Sequence, residues 1–493
     1  MKILLIDPPF YRILGFYNRY FPIGLVTLAT YLKHNGLSDV FVYDTDFNEH
    51  SNKIDYTSLP ENYPKYLNSF KEANHSIWIE IKGTIKKYNP DIIGISIWTS
   101  YAASSFFTAK LAKSVKPDCP VVMGGPHATA KADEILRVCP DVDYVIRGEG
   151  EEAFLNLITT IKNNEQDLTS IYGLSSRQGE KVVHNSLKKT SIDLNQYPFP
   201  DRSLLINEKV YSSEDMGLIM ASRGCPYSCT YCATQTNRVN FRSSDHIIDE
   251  IINVKQKYGT IQFTFKDDSF TVNHKLIEDL CLKLINNKLK ITWECNTRVN
   301  LINEKLLRLM IKAGCNFVKV GIESGSEKVL NRMKKGITHG QIKQAATLFK
   351  KVGIHWTGYF MIGVPGETQS DIKKTINFLY KIKPDFACIG VYEPFPGTAM
   401  FDEGINKNLI KSDMSYNDFF NTLPNNYYKK DPNVQTDKIP SNTFLELSME
   451  INQRVRSYNR NLKRVIRMAW AKSTTYRKNP YILLQDFKKY LSY

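Results

Sequence analysis

Ser222-Arg223-Gly224-Cys225-Pro226-Tyr227-Ser228-Cys229-Thr230-Tyr231-Cys232 spaces three thiols as C-x3-C-x2-C directly after an apolar, strand-like run at residues 218–222. Thiolates are the natural ligands of iron-sulfur clusters. Three of them on one loop can hold three irons of a 4Fe-4S cluster and leave the fourth iron open to bind a substrate. The competing readings are a structural zinc and three unrelated thiols. Zinc prefers four protein ligands in paired spacings, and no second CxxC or CxxxH lies nearby. The other six cysteines (Cys119, Cys139, Cys281, Cys295, Cys315, Cys388) are scattered and read as small buried hydrophobes.

Downstream of this loop, strand signals recur at residues 262–266, 291–295, 317–321, 357–362 and 387–392. Helical stretches separate them near 246–257, 274–287, 304–313, 340–352 and 370–382. Six strands alternating with helices predict a partial parallel (β/α)6 barrel of TIM type, whose active site lies on the loops that follow the strands. Those loops carry suitable chemistry. Lys266-Asp267-Asp268-Ser269-Phe270 places carboxylates where a ligand's ammonium group can be bound. Arg298, just past the third strand, can pair with a ligand carboxylate or form a surface ion pair. Gly321-Ile322-Glu323-Ser324-Gly325 and Gly363-Val364-Pro365-Gly366-Glu367 close the fourth and fifth strands. Singly, each also reads as a helix cap or turn; their recurrence after successive strands favours a site.

Upstream, residues 1–160 repeat a strand, loop and helix rhythm, with strands near 2–6, 40–44, 92–98, 120–123 and 144–147 and helices near 22–35, 101–115 and 133–139. The pattern predicts a parallel sheet covered on both faces, a doubly wound Rossmann-like domain. Glycine, proline and acidic residues gather after its strands, in Asp7-Pro8-Pro9, Gly124-Gly125-Pro126-His127 and Gly148-Glu149-Gly150-Glu151. Such sheets bind ligands at the carboxyl ends of their strands, where glycines let backbone approach a large flat or phosphate-bearing molecule; simple turn chemistry is the alternative for any one loop. Residues 165–215 are polar, with a short hairpin-like stretch, and end in Tyr197-Pro198-Phe199-Pro200-Asp201-Arg202, whose prolines favour extended backbone. The expected units are therefore 1–164, a connector at 165–215, the barrel at 216–405, and a mostly helical, basic region at 406–493.

With Tyr231 in the aromatic place of C-x3-C-x-aromatic-C, the cysteine loop resembles the radical S-adenosylmethionine superfamily, over residues of about 216 to 400. The resemblance implies a 4Fe-4S cluster on Cys225, Cys229 and Cys232. Its open iron would chelate the amino and carboxylate groups of S-adenosylmethionine, and its reduction would yield a 5′-deoxyadenosyl radical. It also implies that Tyr231, Asp267, Asp268, Arg298, Glu323, Ser324, Gly363, Pro365 and Gly366 surround that cofactor, with Glu323 and Ser324 near its methionine or ribose and residues 363–367 near its adenine.

A doubly wound domain ahead of such a barrel is similar to the cobalamin-binding subclass, a likeness that spans about 400 residues and includes the connector at 197–202. It implies cobalamin contacts from Asp7, Pro8, Pro9, Ser96, Thr99, Gly124, Gly125, His127, Glu149, Gly150 and Glu151. One departure is that many cobalamin domains carry D-x-H-x-x-G after the first strand, whereas Pro9 stands here in the histidine place with no glycine three residues later. His127 is then either a substitute ligand or, better supported, a hydrogen-bonding loop histidine. For activity, the resemblance implies methylation of an unactivated carbon through methylcobalamin. The alternative is an oxidation, cyclisation or rearrangement without methyl transfer, as in the anaerobic porphyrin ring cyclases of this subclass. The expected partners are an electron donor such as flavodoxin or ferredoxin and a substrate among peptides, lipids, antibiotic precursors and tetrapyrroles.

The chain has 493 residues, 42% hydrophobic and 23% charged, which suits a soluble globular protein of several units. Its start is broken by Asp7, Pro8 and Pro9 and is no signal peptide. No stretch approaches the roughly 20 apolar residues of a membrane span, so a cytoplasmic protein with reduced thiols is expected. The net charge of +15 is uneven, because residues 451–493 hold eleven Lys and Arg against Asp486 alone. Tyr458, Trp470, Tyr476, Tyr481, Phe487 and Tyr490 are interleaved with them. Such a tail suits an anionic partner, a membrane surface, the protein's own acidic surface or a solvated helix. A reading of another class, an RNA- or membrane-binding module with a structural cluster, lacks a recognised RNA-binding motif.

Overall fold

Five apolar runs, β1 (Ile3–Asp7), β2 (Val40–Asp44), β3 (Ile92–Ser96), β4 (Val121–Gly124) and β5 (Tyr144–Ile146), form the parallel part of the first sheet, in the order β2-β1-β3-β4-β5. The computed structural model describes the chain apart from residues 18–19, 48–51, 54–58, 73, 189–191, 234–237, 433, 472, 479, 481–482, 485–486 and 488–493. Lys472, Tyr481, Asp486, Lys488, Lys489 and Tyr490 of the basic tail thus lie outside the described residues, as do the side chains of Lys463, Arg467 and Lys478. Alternate residues of β1 serve opposite faces, as strand geometry requires. Ile3 and Leu5 pack with Val26, Phe154 and Leu157, whereas Leu4 and Ile6 pack with Ile81, Phe106 and Ile135. The chain passes from β1 to β2 on one side and to β3 on the other, which puts the topological switch point between β1 and β3.

Three features of this domain differ from expectation. A hairpin, β6 (Leu174–Gln178) and β7 (Lys181–His184), adds antiparallel to β5 and extends the sheet to seven strands. The domain therefore runs past 164, and the connector starts only after the hairpin. The hairpin-like stretch expected within the connector is thus an edge of the sheet, and it lacks the continuous apolar run that would mark it as such. The helix expected near 133–139 begins at Pro126, with Gly125 at φ +119° ahead of it and proline in its first turn, so part of the loop read at 124–129 is helix start. Helices Leu59–Ser69 and Ser76–Tyr88 were not foreseen; the first contains Pro64, which ordinarily argues against a helix.

The connector is pinned at both ends. Leu205 bridges to Val42 on the sheet edge. Buried Arg202 donates to the carbonyls of Pro200, Met216 and Leu218 and to Glu250, which also pairs with Arg242 at 2.6 Å. A buried cation is tolerable because its donors are satisfied in this way.

The second sheet is parallel throughout and ordered as its strands occur: β8 (Leu218–Ile219), β9 (Gln262–Phe265), β10 (Thr292–Thr297), β11 (Cys315–Glu323), β12 (His355–Ile362) and β13 (Phe386–Val391). Its covering helices start at side-chain caps: Ser243, Asn273, Asn303, Thr338 and Thr368 each accept a backbone N–H, the last two as capping boxes. The free edge of β13 is covered, since Asn459 both accepts from Ala387 N and donates to Ala387 O, at 3.0 and 2.9 Å. Of the six scattered cysteines, five are buried and Cys388 is half-buried.

The C-terminal region is not one unit. Ile410, Met414, Phe419, Tyr427 and Tyr428 join the core of the first domain. Phe444, Leu447, Ile451 and Val455 of helix Ser441–Asn459 pack on the barrel. Among the described residues no helix is long and apolar enough to cross a membrane.

Candidate functional site

The cysteine loop is held from three directions. Its entry is fixed by buried Asp267, which accepts from Ala221 N and Ser222 Oγ. Its middle is stapled at Thr230, which donates to Met333 O at 3.0 Å and accepts from Met400 N at 2.8 Å. From the far side, the Arg298 guanidinium stacks on Tyr227 at 3.7 Å and reaches Cys229 Sγ and Lys335 O. Cys229 is buried, while Cys225 and Cys232 are half-buried. Among the described residues no three His, Cys, Asp or Glu side chains stand close enough together to cage a metal ion. The fit to a cluster therefore lies in the donor set: three thiols on one braced turn, with a cation beside one of them.

The other strand-end loops of the barrel share this edge. Lys335 donates to Tyr231 OH at 3.1 Å and to Glu323 Oε1 at 2.6 Å, and Glu323 has φ +65°. The Gly321 position is crowded by this pair, because a Cβ there would stand 2.4 Å from Glu323 Oε1 and 2.8 Å from Lys335 Nζ. Ser324 turns inward to Thr375 Oγ1 at 3.1 Å. Buried Glu367 accepts from the N–H groups of Gly363 and Val364. Gln435 donates to Gly363 O and Tyr392 O, and Asp437 accepts from Gly366 N at 2.6 Å, so the C-terminal segment lies on the loop after β12. Asp268 and Pro365 sit on these same loops, the first exposed and the second buried. The Asp267 carboxylate and the Ser324 hydroxyl are engaged within the chain.

At the C-terminal edge of the first sheet, Asp7 closes β1 and is held well above the usual carboxylate range by burial and by Asp44 and Asp46. Pro8 and Pro9 are buried, and Pro9 O accepts from Ser104 Oγ. Ser96 ends β3, and Thr99 bonds His127 Nδ1 at 3.0 Å. His127 is 1% exposed, with Phe419 and Tyr428 about its ring, and burial pushes its pKa down to about 3. It lies in the core rather than on the open edge. Two glycines here are not required by the fold: a Cβ on Gly150 would meet nothing within 4 Å, and one on Gly124 only Ile146 O at 3.9 Å. Gly125, in contrast, must be glycine, since a Cβ would stand 2.8 Å from Ile97 O. Room left at Gly124 and Gly150, at the carboxyl ends of β4 and β5, is what a large ligand lying on the backbone needs.

The two edges meet. Arg223 of the cysteine loop pairs with Glu149 at 2.7 Å and Glu151 at 2.6 Å, and Lys266 lies over the Tyr20 ring at 4.7 Å. Two residues central to the site, Arg223 and Lys335, escape sequence reading. Arg223 stands two residues before the cysteine spacing and finds its partners in the other domain, and Lys335 follows a helix rather than a strand.

A family model described as the radical SAM superfamily matches residues 219–379, and one described as the B12-binding domain matches residues 13–158. The uncharacterized methyltransferase PH0819 of Pyrococcus horikoshii is 35% identical over 361 residues, covering 70% of this chain and 78% of that protein. The chain belongs to the cobalamin-binding radical S-adenosylmethionine family. Its cofactors are accordingly a 4Fe-4S cluster, S-adenosylmethionine and cobalamin. The anaerobic magnesium-protoporphyrin IX monomethyl ester cyclase of Rubrivivax gelatinosus is 28% identical, covering 82% of this chain and 70% of that one. The radical S-adenosylmethionine methyltransferase TsrM of Kitasatospora setae shares the fold, with a TM-score of 0.64 at 17% identity, covering 84% of this chain and 77% of TsrM. Membership of this enzyme family sets aside the reading of the cluster as a structural element in a binding module.

Proposed function

We propose that this family member is a carbon methyltransferase whose two cofactor sites face one another across the Arg223 ion pairs. The observation that supports this most is the meeting of the two strand-end edges: the cysteine loop and the open-glycine edge are one salt bridge apart. When bound, the cluster and S-adenosylmethionine supply hydrogen abstraction, and the corrinoid supplies a methyl group. The chain's own residues bind and orient. Cys225, Cys229 and Cys232 hold the cluster, and Arg298 positions the loop through Tyr227 and Cys229. Tyr231, Asp268, Glu323 and the loop Gly363, Pro365 and Gly366 border S-adenosylmethionine, with Asp267 and Ser324 supporting that border from within. Asp7, Pro8, Pro9, Ser96, Thr99, Gly124, Gly125, Glu149, Gly150 and Glu151 line the corrinoid edge, and His127 supports it through Thr99. A small electron-donor protein of the flavodoxin or ferredoxin class supplies the reducing electron.

The name of the relative from P. horikoshii favours methyl transfer; the name of the cyclase keeps a radical reaction without it as the competing reading. Anaerobic reconstitution and turnover separate them. Deoxyadenosine and S-adenosylhomocysteine formed together with a methylated product is the expected result. Turnover with corrinoid bound but without S-adenosylhomocysteine overturns methyl transfer and leaves the cyclase-like reaction.

A further inference from the structure

Past Asn461 the chain continues as helix Leu462–Ala471, which turns three apolar residues outward: Leu462 is 65% exposed, Ile466 54% and Trp470 78%. They stand four residues apart, in one row along the helix. Positions 463, 464 and 467, all Lys or Arg, fall outside that row in the helical period. Beyond this helix Leu483, Leu484 and Phe487 are exposed as well. Among the described residues nothing covers the row, although Phe444, Leu447, Ile451 and Val455 of the preceding helix are buried on the barrel. A solvated helix would not expose leucine, isoleucine and tryptophan on one face, and a purely phosphate-binding arm would not need them.

We propose that helix Leu462–Ala471 docks this protein on an anionic bilayer surface. The row Leu462, Ile466 and Trp470 enters the interface, and the basic residues meet lipid headgroups. An amphipathic helix with Trp and Leu on one face and Lys and Arg on the other lies in the plane of such an interface. Residues 451–493 carry ten of the fifteen net positive charges, so the local field suits an acidic leaflet rather than a neutral one. The inference is independent of the reaction catalysed, and its test reads binding rather than turnover.

The full-length holoprotein is floated with vesicles of phosphatidylcholine alone, and with vesicles in which about one lipid in three is phosphatidylglycerol. It is expected to rise with the anionic vesicles only, and to be released by salt. Leu462→Ser, Ile466→Ser and Trp470→Ser together, or Trp470→Ser alone, are expected to leave the thermal midpoint in place, since these side chains are exposed. The triple change is expected to lower partitioning at least about tenfold. Three results overturn the proposal: no flotation with anionic vesicles, flotation unaffected by the triple change, or a concentration-dependent dimer that the triple change abolishes while vesicles remain unbound. Tighter binding to single-stranded RNA than to vesicles, equal in native and triple variant, also overturns it and assigns the tail to nucleic acid.

Discussion

Arg298 illustrates how much one side chain arranges here. Its guanidinium is sandwiched between Tyr227 and the carbonyl of Lys335 and touches Cys229 Sγ, so it braces the loop from the side opposite Asp267. Arg298→Ala is expected to fold and to bind markedly less iron and sulfide per chain after anaerobic reconstitution. Arg298→Lys keeps the charge without the planar stack and should fall between the two. Glu367 makes a pH prediction. Burial raises its pKa from 4.5 to about 8 against the N–H groups of Gly363 and Val364, which act in the opposite direction. A carboxyl raised on folding keeps its contribution in full below 4.5 and loses it as pH climbs to about 8. The thermal midpoint of the apoprotein should therefore fall across that window, and the fall should be shallower in Glu367→Gln. A flat profile in the native protein would contradict the assignment. Sequence could point to Cys225, Cys229 and Cys232 because their signal is a spacing. It could not point to Lys335, whose role is set by two partners twelve and 104 residues away.

At the scale of elements, the barrel was legible and the first domain partly so. Each barrel strand is a short apolar run followed by a capping residue and an amphipathic helix, so period and punctuation agree. Helix Leu59–Ser69 was hidden by the proline inside it, whereas β6–β7 was legible as a hairpin-like stretch but, being polar at a sheet edge, not as part of the sheet. The glycine loops were visible as composition, but what separates their glycines is room. Gly125→Ala forces a Cβ toward Ile97 O in a left-handed region and should cost on the order of 1–3 kcal/mol of stability. Gly150→Ala meets open space and should leave the thermal midpoint within error. If the corrinoid rests on this edge, Gly150→Ala weakens its binding, read by equilibrium dialysis of hydroxocobalamin; unchanged affinity would remove Gly150 from the proposed contacts.

For the molecule as a whole, the C-terminal region acts as a strap. One part enters the core of the first domain through Phe419, which packs edge-on to Phe106 and Tyr427; the other covers the barrel edge through Asn459. Phe419→Ala is expected to cost about 3–5 kcal/mol, seen as a lower midpoint in chemical denaturation. A separate early transition for the first domain would show that the strap also unites the two units. This could not be read from composition, because the strap's halves differ only in which core receives them.

The Arg223 bridge has a thermodynamic corollary. A residue of the cysteine loop that is clamped by Glu149 and Glu151 makes the loop's conformation and that of the proposed corrinoid edge a single equilibrium. Whatever factor cluster assembly contributes to corrinoid affinity, corrinoid must return to the cluster as resistance to loss, since coupling free energies are reciprocal. Chelator-driven iron release timed with and without hydroxocobalamin, in the native chain and in Arg223→Gln, reads both halves of that exchange. The native protein should be protected by the corrinoid and the variant should not.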